Sequence, residues 1–340
     1  MIVVMKPNSS PQQIAHAEER VRALGMKPHT ILGEELTVIA LVGNERNFTK
    51  ELLLAIPGVD RVMEVARPYK LVSNEGRKES ERTIVKLHPQ GSIGGRQILV
   101  VAGPCSVESE EQVFQAADAV KKAGGTAFRA GAFKPRTNPY SFQGMQDEGL
   151  KLLIEVRRRT GLAIFTEVLT PADVEKVADA ADVVQIGTRN AQNFPLLSAV
   201  GELRKPVLLK RGFASTLDEF LLGAEYIMSR GNGDVILCER GIRTFETHTR
   251  NTLPLATVPA IKERSHLPIM VDPSHGTGKR SLVPAMALAA VAAGADALMI
   301  EVHPDPESAL TDGDQSISSE EFAALIPRLR KVAEAVDREI

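Results

Sequence analysis

Hydrophobic positions along the chain follow two successive rhythms. In the first 65 or so residues, short apolar runs and amphipathic helical stretches come in the order strand, helix, strand, strand, helix, strand. IVVM begins the series; Ser10, Pro11 and Gln13 then supply an N-cap, a first-turn proline and a capping-box partner for the helix PQQIAHAEERVRAL. Strands around KPHTIL and LTVIALV follow, separated by the turn residues Gly33 and Glu34. The second helix, FTKELLLAI, is halted by Pro57 and Gly58, and VDRVMEV closes the unit as another β-branched run. This βαββαβ order predicts a small ferredoxin-like domain. The charged stretch SNEGRKESER then breaks the periodicity as a linker, and the expected division is a ferredoxin-like domain over 1–68 and a larger domain over 69–340.

The second rhythm opens with TIVKLHP and the glycine-rich GSIGG, an expected N-terminal β-hairpin. Eight apolar runs follow, alternating with amphipathic helices: ILVVAG, TAFRAG, AIFTEV, VVQIGT, PVLLKR, VILCER, PIMVDP and ALMIEV. Helix starts are marked by Ser109 with Gln112, Thr170 with Pro171, Thr216 with Glu219, and Ser318 with Glu321. Near-continuous apolar strands separated by helices imply parallel strands covered on their outer face. The fold class is therefore α/β, a (β/α)8 TIM barrel preceded by the ferredoxin-like domain.

Composition narrows the function. The 340 residues carry a formal charge of -2 with 43% hydrophobic and 25% charged content, and no basic tract, which argues against nucleic acid as a partner. No apolar run is long enough to span a bilayer and MIVVMKPNSS is too short for a signal peptide, so the expectation is a cytoplasmic protein with no membrane partner. Two cysteines, Cys105 and Cys238, fit a reducing compartment rather than a disulfide framework. SHGTGKRS lacks the leading glycine of a phosphate-binding P-loop, GSIGGR follows too poor a strand for a dinucleotide site, and no G-x-S-x-G elbow is present.

In a barrel of this kind, chemistry collects at the carboxyl ends of the strands, and each of the eight runs here ends in polar residues. Any one such Arg or Lys is ordinarily a solvated loop residue. Five together, Arg129, Lys134, Arg189, Lys210 and Arg240, would repel one another in a shared mouth unless an anion neutralised them, which points to a phosphate or carboxylate ligand. Cys105 alone is ordinarily a small buried hydrophobe and His275 a loop histidine. With Glu301 and Asp312 they form a mixed soft and hard donor set for a divalent transition metal, drawn from strands one, seven and eight, which become neighbours on ring closure. His303 and Asp314 are reserve ligands. Cys238, near the same mouth, suggests a thiol pair that oxidation couples, expelling the metal.

The ordered motifs AGPCS, KPRT, QIGTRNAQN, LLKRG, CERGIRTFE, VDPSH, IEVHPDPE and LTDGDQS resemble those of the 3-deoxy-D-arabino-heptulosonate 7-phosphate (DAHP) synthases across the whole barrel. The βαββαβ unit resembles the N-terminal regulatory domain of their type I beta branch. The resemblance implies an aldol-like condensation of phosphoenolpyruvate with D-erythrose 4-phosphate that releases phosphate. It implies that Cys105, His275, Glu301 and Asp312 hold the divalent ion (Mn2+, Fe2+, Co2+ or Zn2+), with Lys134, Cys105 and His275 central to catalysis. Arg129, Lys134 and Lys210 would flank the carboxylate of phosphoenolpyruvate, Arg189 and Arg240 its phosphate, and Glu167 a water. Arg136 and Thr137 would hold the phosphate of the second substrate. It further implies feedback by tyrosine or phenylalanine and a homotetramer or homodimer. The sister 3-deoxy-D-manno-octulosonate 8-phosphate synthases are the nearest alternative, with Lys-Ala-Asn-Arg-Ser expected where this chain has Lys-Pro-Arg-Thr. A non-catalytic sensor of phosphorylated metabolites is the alternative from another class.

Overall fold

The computed structural model describes all residues except 34–35, 43–49, 64–67, 76, 78–80, 90, 136–137 and 139. The turn residue Glu34 and the first residues of the second expected helix therefore lie outside the described residues.

The N-terminal unit is built from β1 (Ile2–Met5), β2 (Lys27–Leu32), β3 (Thr37–Val42) and β4 (Val59–Met63), with helices Pro11–Ala23 and Lys50–Leu54 between them. Its antiparallel sheet runs β2-β3-β1-β4, the ferredoxin-like order. Period-two alternation splits its apolar residues between two faces. Val3, Met5, Ile39 and Leu41 pack under the helices with Ala17, Val21 and Leu53, while Ile2, Val4, Val38 and Ala40 join the core of the large domain. The first helix starts where the capping box places it: the Ser10 hydroxyl accepts from Gln13 N and the Gln13 side chain accepts from Ser10 N.

A short hairpin, β5 (Val85–Lys86) and β6 (Ser92–Ile93), precedes the barrel. Its Val85, Leu87 and Ile93 join the apolar cluster inside the ring and close its amino-terminal end. The barrel strands are β7 (Leu99–Gly103), β8 (Ala127–Arg129), β9 (Ala163–Val168), β10 (Val183–Ile186), β11 (Val207–Lys210), β12 (Val235–Glu239), β13 (Ile269–Val271) and β14 (Ala297–His303). All are parallel, and pairing of β13 with β14 and of β14 with β7 closes the ring. Each of the eight apolar runs supplies one strand. Side-chain caps form at Ser109, Thr216 and Ser318 as expected; at Thr170 the helix enters through the 3-10 turn Pro171–Asp173, and the Thr170 hydroxyl bonds the Asp173 carboxylate instead of a backbone N–H.

The segment joining the domains is held by partly buried polar contacts. One Glu225 carboxylate accepts the backbone N–H groups of Lys70, Leu71 and Val72, and Lys70 Nζ reaches back to Leu41 O. His266, 2% exposed, bridges Leu71 O and the Thr83 hydroxyl. Burial, aided by Arg77, lowers its pKa to about 3 from the ordinary 6.5. The unfolded chain takes up this proton near pH 6.5 and the folded protein only near pH 3. Stability is thus fully present above the higher value and lost as pH falls between the two, by up to about 5 kcal/mol. His266→Gln is expected to melt lower at neutral pH and to lose less stability between pH 6.5 and 4 than the parent; parallel melting-versus-pH curves would refute this role.

Candidate active site

Strand parity places chemistry above an apolar plug. Inward positions along the ring carry Val101, Ala127, Phe165, Leu208, Ile236, Cys238, Met270 and Met299 in a dry layer. One step further toward the carboxyl ends, in the same inward phase, stand Arg129, Glu167, Lys210 and Glu301, followed on β13 by Asp272. They border a cleft whose lining includes Arg129, Lys134, Glu167, Arg189, Lys210, Arg240, Arg250, His275 and Asp312.

On one side, donor atoms of Cys105, His275, Glu301 and Asp312 all lie within 4.8 Å of one another. Cys105 Sγ is 3.2 Å from Asp312 Oδ2 and accepts from Lys134 Nζ at 3.0 Å; His275 Nε2 is 3.3 Å from Glu301 Oε1. Burial, together with the Glu301 charge, pushes the Cys105 thiol up to about 11, and Lys134 opposes that rise. Burial also raises the Asp312 carboxyl, but His275, Arg250 and Lys134 outweigh it and hold the group well below its usual range. Asp312 has a left-handed backbone (φ 51°), an arrangement that costs energy in a non-glycine residue and persists because its surroundings impose it. Sulfur, imidazole nitrogen and two carboxylates at this spacing suit a divalent transition metal.

Supports surround the four donors. Asp272, fully buried, accepts His275 Nδ1 at 2.8 Å and Lys210 Nζ at 2.6 Å through one oxygen, and His275 N at 2.9 Å through the other. Nδ1 is thereby the protonated nitrogen, leaving Nε2 free to ligate. Arg129 Nη1 donates to Glu301 Oε1 at 2.9 Å, and Gln315 Nε2 donates to Glu301 Oε2 at 2.5 Å. Arg250 Nη1 contacts both Gln315 Oε1 and Asp312 Oδ1.

The other side is cationic. Arg189, Arg240 and Arg243 all stand over the Phe213 ring, at 5.7, 5.1 and 4.3 Å from its centroid. Among the described residues, Arg189 and Arg240 have no carboxylate partner. Arg240 is 2% exposed, burial lowers its pKa, and its Nε lacks a hydrogen-bond partner, as does Nε of Arg129. Buried guanidinium groups with unsatisfied donors lining a cleft fit an anionic ligand. Glu167 projects between the halves and accepts Gln185 Nε2 at 2.8 Å.

The structure thus gathers Cys105, Arg129, Lys134, Glu167, Arg189, Lys210, Arg240, His275, Glu301 and Asp312 at one mouth. Arg136 and Thr137 lie outside the described residues. The repulsion argument from five cations needs correction: Arg129 and Lys210 already have Glu301 and Asp272 as counter-charges. The two reserve ligands stand elsewhere, His303 against Glu108 and Asp314 beside Lys279 and Arg280 in a separate surface cleft. Cys238 sits in the dry layer inside the barrel, unbonded to Cys105 and outside the donor group. Asp272, Gln315, Arg250 and Phe213 were not among the expected site residues. Asp272 had a signal, since an Asp three residues before His275 on a Pro-initiated turn can cap that turn and meet the imidazole; the other three carry none.

Comparison with known proteins converges on one family. The model described as DAHP synthetase I family matches residues 80–338, and that of the DAHP synthase ferredoxin-like domain matches residues 1–67. The chain is 47% identical over 336 residues to a phospho-2-dehydro-3-deoxyheptonate aldolase of Thermotoga maritima, covering 99% of this chain and 98% of that protein. A crystal structure of the Thermotoga maritima enzyme aligns with a TM-score of 0.79 at 46% identity, over 99% of this chain and 98% of that one. A 2-dehydro-3-deoxyphosphooctonate aldolase of Syntrophobacter fumaroxidans is more distant, 30% identical over 70% of this chain and 88% of that protein.

Proposed function

The chain belongs to the DAHP synthetase I family, and on that premise we propose that its barrel mouth condenses phosphoenolpyruvate with D-erythrose 4-phosphate and water to give DAHP and inorganic phosphate. The observation that carries this reading is the juxtaposition of a four-donor metal group with a cationic pocket whose buried Arg240 lacks a carboxylate partner. The octulosonate-forming alternative rests on relatives that match about 70% of this chain at 30% identity, whereas the heptonate aldolase matches 99% of it at 47%.

Arg189 and Arg240 grip the phosphate of phosphoenolpyruvate, their planar forks suiting bidentate contact. Arg129, Lys134 and Lys210 face its carboxylate. Lys210 spends one of its three donors on Asp272, so that carboxylate fixes the ammonium in place as well as orienting His275. Glu167, held by Gln185, positions the water that adds as phosphate departs. Arg136 and Thr137 hold the phosphate of the aldose. Cys105, His275, Glu301 and Asp312 hold a divalent ion, with Mn2+, Fe2+, Co2+ and Zn2+ all compatible with the donor set. When bound, that ion supplies Lewis-acid polarisation of the aldehyde oxygen. Lys134, bonded to both the thiol and the carbonyl of Cys105, links the metal half to the anion half. Much of the rate gain comes from holding two mutually repelling phosphorylated substrates in register.

The reading carries a cytoplasmic enzyme, a homotetramer or homodimer, and tyrosine or phenylalanine as effector of the N-terminal domain. No described helix is long and apolar enough to cross a membrane. Phosphate release from phosphoenolpyruvate is expected to require the aldose, to stop when a chelator strips the protein, and to return with added divalent ion. Release from phosphoenolpyruvate alone would make the protein a phosphatase and end this reading; metal and substrate binding without turnover would make it a sensor.

A further inference from the structure

Glu108 lies outside the substrate cleft, yet its side chain is only 8% exposed and touches the neighbours of three candidate metal ligands. Ser106, next to Cys105, donates its hydroxyl to Glu108 Oε1 at 3.2 Å. Leu310 N, two residues before Asp312, donates to the same oxygen at 3.1 Å, and the Thr311 hydroxyl stands 3.5 Å from it while giving its one proton to Ser106. His303, two residues beyond Glu301, meets Glu108 Oε2 through Nε2 at 3.4 Å. Asp305 N donates to His303 Nδ1, which places the imidazole proton on Nε2, facing the carboxylate. Ser106 and Thr311 also bond each other at 2.6 Å.

We propose that Glu108 is a positioning residue: a single partly buried carboxylate that ties the loop carrying Cys105, the end of the strand carrying Glu301 and the loop carrying Asp312 into one donor geometry. This rests on the metal reading of those residues. The need for such a clasp is physical. Asp312 sits at the start of a 3-10 turn with a left-handed backbone, and Cys105 lies two residues beyond the last residue of its strand, held to the next strand's end by its carbonyl on Gly131 N and the isolated Ser106–Gly131 bridge, so the regular barrel ladder reaches neither residue. Four donors converge only if the loops are held to a few tenths of an ångström, and partners outside the ligand set commonly govern affinity for that reason. Among the described residues the Glu108 side chain bonds residues one or two positions from the ligands and none of the ligands themselves, so its effect passes through geometry.

The test is Mn2+ affinity of the metal-stripped full chain, read by chelator competition, for the parent and for Glu108→Ala, Glu108→Gln, Thr311→Val and Cys105→Ala. Glu108→Ala is expected to weaken Mn2+ binding by about 10- to 100-fold, with Glu108→Gln and Thr311→Val between it and the parent. At saturating Mn2+, KM for phosphoenolpyruvate in Glu108→Gln is expected to stay within about twofold of the parent, since the anion pocket is untouched. If Glu108→Ala does not fold, the Glu108→Gln and Thr311→Val affinities decide. Parental Mn2+ affinity in the Glu108 and Thr311 variants alongside loss of binding in Cys105→Ala overturns the clasp and leaves the metal reading standing. Parental affinity in Cys105→Ala overturns the metal reading, and the clasp with it.

Discussion

Cys105→Ala protein is expected to keep its barrel while losing tight divalent-metal binding and, with it, turnover. The thiol is 1% exposed and stands in a group whose other donors are one imidazole nitrogen and two carboxylates. Deleting it removes the soft ligand, leaves Lys134 Nζ without its sulfur partner and lets Asp312 Oδ2 lose its 3.2 Å neighbour. Loss of a supporting partner alone typically costs about 10- to 100-fold in metal affinity or activity, so loss of a ligand should exceed about 100-fold in both. Stability should move by only about 1 kcal/mol, because cysteine packs as a small hydrophobe and alanine leaves a small void. Metal content, phosphate release and melting temperature on one preparation check all three, and full activity in metal-replete buffer would refute the ligand assignment.

Arg240→Met is expected to move stability and binding in opposite directions. In the ligand-free protein Arg240 is a buried cation with an unsatisfied Nε and no carboxylate partner, supported by the Phe213 face and a 3.4 Å contact to Gly241 O. Desolvation of that charge is repaid only when an anion arrives, so an apolar side chain of similar length should stabilise the free protein by about 1 kcal/mol. Removing a buried, hydrogen-bonded charge partner typically costs about 2–5 kcal/mol of binding, so KM for phosphoenolpyruvate should rise by at least about 30-fold. A thermal melt and a saturation curve measure the pair. Unchanged KM would remove Arg240 from the phosphate site, and a large drop in melting temperature would show that Phe213 and Gly241 already compensate its charge.

Much of this was legible in the chain because it is local. Eight apolar runs became eight strands, and five of them carry inward-facing chemical positions at or near their ends, Arg129, Glu167, Lys210, Asp272 and Glu301, since strand parity converts spacing directly into direction. Ser10, Ser109, Thr216 and Ser318 cap their helices because capping is a contact within three residues. What escaped depends on approach in space. Asp272 was visible in VDPSH, but its joint hold on Lys210 and His275 appears only when β11 and the turn after β13 share a mouth. Gln315 meets Glu301 across 14 residues, and Arg250 meets Asp312 across 62, with no periodicity to announce either. His303 was expected beside the metal because it shares parity with Glu301; at the strand end Glu108 captures it instead, through a loop that no spacing rule places. The charge argument overshot for the same reason, because counter-carboxylates from other strands partner two of the five cations.

The chemistry of the mouth is tested most directly by offering the metal-loaded protein phosphoenolpyruvate with D-erythrose 4-phosphate or with D-arabinose 5-phosphate in parallel, and following phosphate release together with the chain length of the product. The account predicts rapid release and a seven-carbon product with the four-carbon aldose and far slower release with the five-carbon one; the reverse ranking, with an eight-carbon product, would contradict it.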